Sequence, residues 1–264
     1  MRRRTIWLAR VGFALLAIGA LSAAVAAEVP VVLQLGDPSF TLAEQATMAA
    51  EITGIDDVLR EGYPIPVSRL GGRGWTNADF AIFVRGYMKS SGYEASVVEG
   101  NDPSAGHRIW VLVGVALESR TAWVPVVTDP SIVGTSSRLG LIAWDAADQG
   151  EFDSSYVSFD RVVEVASHPS PSVKISITGR VVAQTSTPIH ALSTASSGII
   201  AYVWTIEGDE AVYVETNAAG FRYTFGTEGE RNVTLVVHDR WGGRGVATKE
   251  VDVVAEAFDC GCHD

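Results

Sequence analysis

Ser172-Val173-Lys174-Ile175-Ser176-Ile177 sets three apolar residues against three polar ones in strict alternation, the period of a half-buried β-strand. Similar runs follow at 199–206, 232–238 and 248–254. Turn-forming clusters separate them: Ser196-Ser197-Gly198, Glu207-Gly208-Asp209, Gly226-Thr227-Glu228-Gly229 and Gly242-Gly243. Short strands at regular turn spacing over residues 172–255 predict an all-β sandwich. Upstream, His168-Pro169-Ser170-Pro171-Ser172 carries two prolines and reads as a stiff, extended linker.

Before that linker, helical and strand patterns mix. Thr41-Leu42-Ala43-Glu44 has the spacing of a capping box and predicts a helix running to about Ile52. Phe80, Phe83, Val84, Tyr87 and Met88 fall at i, i+3, i+4, i+7 and i+8, one apolar stripe of a second helix. Thr76 or Asn77 can cap it, Asp79 suits the positive end of its dipole, and Ser90-Ser91-Gly92 ends it. Strands are expected at 94–99, 107–117 and 121–127. The middle one places His107, Ile109, Val111 and Val113 on one face. Helices followed by consecutive strands define an α+β class, with residues 132–167 completing this part.

The chain opens with Arg2, Arg3, Arg4 and Arg10 around an apolar run at 11–25, then Ala26 and Ala27, the layout of a secretory signal cleaved before Glu28. An uncleaved anchor is the alternative, but a spanning helix needs about 20 apolar residues. The expected division is therefore a signal peptide at 1–27, an α+β domain at 28–167, a sandwich at 168–256 and a tail at 257–264. The mature protein is expected outside the cytoplasm, secreted or at the cell surface. Removing the four signal arginines from the chain's 20 Lys+Arg leaves 16 against 31 Asp+Glu, a balance of −15. That charge argues against nucleic acid and anionic membrane as partners.

The only cysteines are Cys260 and Cys262, so neither domain can hold an internal disulfide or use a thiol. In the tail they could join His263 in a partial metal site, bridge to another molecule, or sit in a disordered end. No metal or other cofactor is expected.

The second part resembles the PKD domain, an immunoglobulin-like module. The resemblance rests on Thr187-Pro188-Ile189-His190-Ala191, Tyr202-Val203-Trp204, Phe221-Arg222-Tyr223-Thr224-Phe225 and Asn232 through Asp239 with Gly242-Gly243. The acidic turn common after the family's tryptophan is altered here to Thr205-Ile206-Glu207-Gly208-Asp209, so no ion site is carried over. The resemblance implies a spacer or adhesion module, with Trp204 in the core. Trp241 would either offer an aromatic face to a sugar or protein or plug the end of the sandwich.

The first part resembles the transglutaminase-like, papain-type scaffold. Phe80-Ala81 and Arg85-Gly86-Tyr87 match its helix, Gly106-His107-Arg108-Ile109-Trp110-Val111 its histidine strand, and Trp123 through Asp129 its acid strand. In that family a cysteine opens the helix, where the dipole lowers its pKa. A histidine then pairs with the thiolate and an acid orients the histidine. The corresponding positions are Asn77, His107 and Asp129, and a carboxamide has no proton to lose as a thiol does. His107 thus either lines a degenerate cleft or is an ordinary polar residue at a strand start. The resemblance implies a non-catalytic protein binding extracellular peptide, glycan or envelope protein, with Trp75, Trp110 and Trp241 as candidate contact residues. The alternative is an extracytoplasmic hydrolase or acyl transferase with an unrecognised nucleophile.

Overall fold

A computed structural model describes residues 40–62, 75–102, 106–129, 138–142, 158–207, 212–216 and 218–255. The expected signal peptide, the cysteine-containing tail and Gly208-Asp209 lie outside the described residues. Among those described, no helix is long and apolar enough to cross a membrane.

Two helices open the fold, α1 (Leu42–Glu61) and α2 (Asn77–Ser90). Each starts with a reciprocal capping box, Thr41 with Glu44 and Thr76 with Asp79. These satisfy amide donors that the first turn leaves without helical partners. α1 continues well past the expected end at Ile52. Its buried residues Met48, Ile52, Ile55 and Leu59 keep helical spacing through Gly54, which looks like a breaker but lets the Tyr93 hydroxyl approach closely. A Cβ there would sit 2.8 Å from that oxygen.

Five antiparallel strands follow: β1 (Glu94–Asp102), β2 (Gly106–Ala116), β3 (Thr121–Val127), β4 (Leu141–Ile142) and β5 (Ser158–Val163), in the order β4-β3-β2-β1-β5. Strand alternation divides this sheet. Val97, Val111, Val113, Val115, Ala122, Val124 and Val126 pack under the helices. Val98, Trp110 and Leu112 gather Trp123, Val127 and Val162 on the other face. The architecture is α+β, helices on one face of an antiparallel sheet.

Eight further strands form a sandwich: β6 (Ser172–Ile177), β7 (Val181–Val182), β8 (Ser186–Thr194), β9 (Ile199–Ile206), β10 (Val212–Thr216), β11 (Gly220–Thr224), β12 (Gly229–Asp239) and β13 (Arg244–Val254). One sheet runs β10-β9-β12-β13-β7 and the other β11-β8-β6. This is the strand arrangement of an immunoglobulin-like sandwich. Trp204 is fully buried between the sheets, edge-on to Phe221, among Ile189, Ile206, Phe225, Val233, Leu235 and Val237. Burying each such aliphatic or aromatic side chain contributes about 1.5–3 kcal/mol, which lets the sandwich hold without a disulfide.

The sandwich also packs on α2. Ala201 of β9 and His238 of β12 are paired neighbours on the outward face of their sheet, and both are buried. Ala201 joins the core of the first part, and the His238 ring lies 5.5 Å from that of Tyr87. Helix α2 therefore buries side chains against two sheets.

Candidate functional site

The expected triad positions occupy three separate elements. Asn77 is the first residue of α2 and is exposed, while Thr76 takes the cap position. The Thr76 hydroxyl accepts the Asp79 amide at 3.1 Å, and Asp79 accepts the Thr76 amide at 2.9 Å. That backbone bond, with Arg240 beyond it, holds the Asp79 carboxyl below its usual range despite partial burial.

His107 lies near the start of β2, opposite Asn101 of β1, with an exposed side chain. Its Nε2 is 3.8 Å from Glu99 Oε2, an oxygen that also accepts Arg161 Nε at 2.5 Å. The Arg161 hydrogen bond is the main reason the Glu99 carboxyl titrates below its ordinary value. Asp129 lies two residues beyond β3, half-buried. Trp110 faces Val127 in the β2–β3 ladder, and the Thr128 hydroxyl reaches the Ile109 carbonyl at 3.4 Å. Extending that ladder puts Asp129 across from Arg108 rather than His107. An acid seen beside His107 is Glu99, a residue the sequence reading did not single out. Its cross-strand, two-residue offset from Asn101 was the available signal.

The three candidate contact tryptophans sit differently. Trp110 is buried under the sheet face away from the helices. Trp75 is half-buried, edge-on to Phe83 at 5.8 Å, with the Arg240 guanidinium 5.2 Å from its ring centre. Trp241 lies in the turn between β12 and β13, its ring stacked on His168 with centroids 3.4 Å apart and planes 19° apart.

That turn docks on α2 and positions a second cluster. Asp239 Oδ1 accepts the amides of Trp241 at 2.9 Å and Gly243 at 2.7 Å, which folds residues 239–243 tightly. Gly242 takes φ +77°, and any Cβ on it would collide with the backbone of Phe83 and Tyr87. Reciprocally, a Cβ on Gly86 would lie 1.8 Å from the Trp241 carbonyl oxygen. The Ser90 hydroxyl donates to the Gly242 carbonyl at 3.2 Å, and Arg240 reaches Asp79 at 3.5 Å. Beside this contact a cleft of about 230 Å³ opens between α2, the turn and residues 165–170, where the chain enters the linker. Arg85, Lys89 and Trp241 line it. A glycine inside a helical stripe, as at Gly86, was the sequence's only pointer to this close approach.

No family model matches the chain, and no curated protein matches it. Among solved structures, it is similar to a carbohydrate-binding module of the β-sandwich superfamily, at 19% identity and TM-score 0.31. That match covers 34% of this chain and 36% of that one. It is also similar to the PKD1 domain of Vibrio anguillarum Epp, at 15% identity and TM-score 0.29, covering 34% of this chain and 100% of that one. The PKD1 domain of the Vibrio cholerae metalloprotease PrtV matches at 18% identity and TM-score 0.28, covering 33% and 99%.

Proposed function

We propose that this chain is an exported, non-catalytic binding protein. In this reading a transglutaminase-like scaffold without its nucleophile is fused to a PKD-like sandwich, which serves as spacer and docking support. The observation that carries it is the exposed carboxamide of Asn77 at the start of α2, in a chain with no cysteine before Cys260. The helix end that would lower a thiol's pKa is present, but no group there can become a thiolate. The imidazole of His107 remains, with Glu99 Oε2 3.8 Å from its Nε2. The basic, apolar leader expected at residues 1–27 and the acidic mature surface support an extracytoplasmic location and a peptide, glycan or envelope-protein partner. The test is turnover of glutamine-containing peptides by the purified protein, with His107→Ala as control. No turnover above the variant's background is expected. Turnover that vanishes in His107→Ala would overturn the reading; if the protein is inert, Asn77→Cys asks whether a thiol brings acyl transfer to the scaffold.

A further inference from the structure

We propose that the cleft between α2, the β12–β13 turn and the linker binds a singly charged sugar acid of one-ring size, a uronate, with its carboxylate on Arg85 and Lys89. The inference names a ligand class for the binding function above, but at a site about 12 Å along the helix axis from Asn77. It does not depend on the transglutaminase resemblance.

Arg85 and Lys89 stand one turn apart on α2, both on the cleft. Arg85 is half-buried, and its guanidinium is pushed below its usual pKa by burial alone. Among the described residues it has no ion-pair or hydrogen-bond partner. In a mature chain with a large excess of acids, a desolvated arginine left without one is costly unless an anion joins it. A planar carboxylate matches the guanidinium fork.

Charge and size narrow the ligand further. Asp239 is buried in the same wall. Its Oδ1 is engaged by two backbone amides and its Oδ2 is sealed from solvent. It is therefore not a contact atom, but its negative charge disfavours a doubly charged phosphate relative to a monoanion. At about 230 Å³ the cleft falls below the roughly 300–1,000 Å³ of drug-sized sites, which suits a single ring. Trp241 and His168, stacked on each other, both line the cleft and bring aromatic surface to it. The linker supplies polar partners, since no backbone group of residues 166–170 makes a hydrogen bond among the described residues. The Ser90 hydroxyl donates to Gly242 and keeps lone pairs for a ligand hydroxyl.

The test is calorimetric titration of the intact mature protein with glucuronate, and with glucose, inorganic phosphate and an N-acetylated dipeptide. Glucuronate is expected to bind at least tenfold more tightly than glucose. Arg85→Gln should lose at least tenfold in affinity and Lys89→Gln severalfold, with far-ultraviolet dichroism unchanged. If Arg85→Gln does not fold, the exposed Lys89→Gln carries the test alone. Equal binding of glucose and glucuronate, or no glucuronate binding at all, would overturn the proposal. So would phosphate or the dipeptide binding as tightly as glucuronate, or glucuronate binding untouched by either foldable variant. Because binding and turnover are read separately, an active enzyme would sink the preceding proposal without touching this one.

Discussion

Acidification from pH 7 to pH 5 should weaken the fold through one side chain. His238 faces α2 with Tyr87 against its ring, Ala201 beside it on β9 and Arg244 beside it on β13. Burial, and then the Arg244 charge, lower its pKa from 6.5 to about 4. Its Nδ1 has no hydrogen-bond partner among the described residues. Between those two values the unfolded chain binds the proton and the folded one does not, so stability rises with pH. The contribution is complete above about pH 6.5, declines as the pH falls, and is gone below about pH 4. At about 1.4 kcal/mol per tenfold change, the loss is about 2 kcal/mol by pH 5 and about 3 kcal/mol in full. Glu44, Asp79 and Glu99, whose folded-state pKa values are lowered, lose their contributions at more acid pH, from about their ordinary values downward. The interval from pH 6.5 to 5 lies above those carboxylates, and comparison with a variant lacking this imidazole isolates its contribution. Urea unfolding followed by circular dichroism at pH 7, 6 and 5 measures it, with His238→Leu as the non-titrating control. The wild type should lose about 2 kcal/mol relative to the variant across that interval. Parallel profiles for the two proteins would refute the assignment.

Gly86→Ala sets two effects against each other. In an open helix it would stabilise by about 1 kcal/mol, but here the new methyl meets the Trp241 carbonyl and must push the turn away. Overpacking of about 1–3 kcal/mol should prevail, giving a lower thermal midpoint and faster proteolysis between β5 and β6. A raised midpoint would mean that the turn does not dock. Thr76→Ala should cost about 1 kcal/mol by removing the α2 cap, read by urea unfolding at pH 7. Thr76→Ser should restore most of it, which a loss of mere packing would not allow.

The local elements were largely legible because their signals are local. Thr41 with Glu44 and Thr76 with Asp79 announce helix starts within four residues, and strand β3 spans the expected 121–127. Gly54 concealed the last turns of α1 because a glycine permitting a close approach looks the same in sequence as one ending a helix. The docking contact left only one trace in the sequence, Gly86 inside the apolar stripe of α2. Along β12, Val233, Leu235 and Val237 point inward, so alternation leaves His238 on the face that solvent would ordinarily take. Nothing nearby in the chain says that α2 covers it. Glu99 escaped notice for a similar reason: its partners, His107 and Arg161, come from two different strands.

Helix α2 has a consequence for how modular this protein is. A chain whose sequence divides cleanly at a proline pair would be expected to melt in two independent steps. Yet Phe80, Phe83 and Val84 belong to the core under the first sheet, while Gly86 and Tyr87 of the same helix press against the sandwich, and Ala201 completes the first core from the far side of the linker. Neither half can open without stripping a surface the other relies on. The boundary that matters thermally is therefore not the linker, and the two parts should denature as a single cooperative unit.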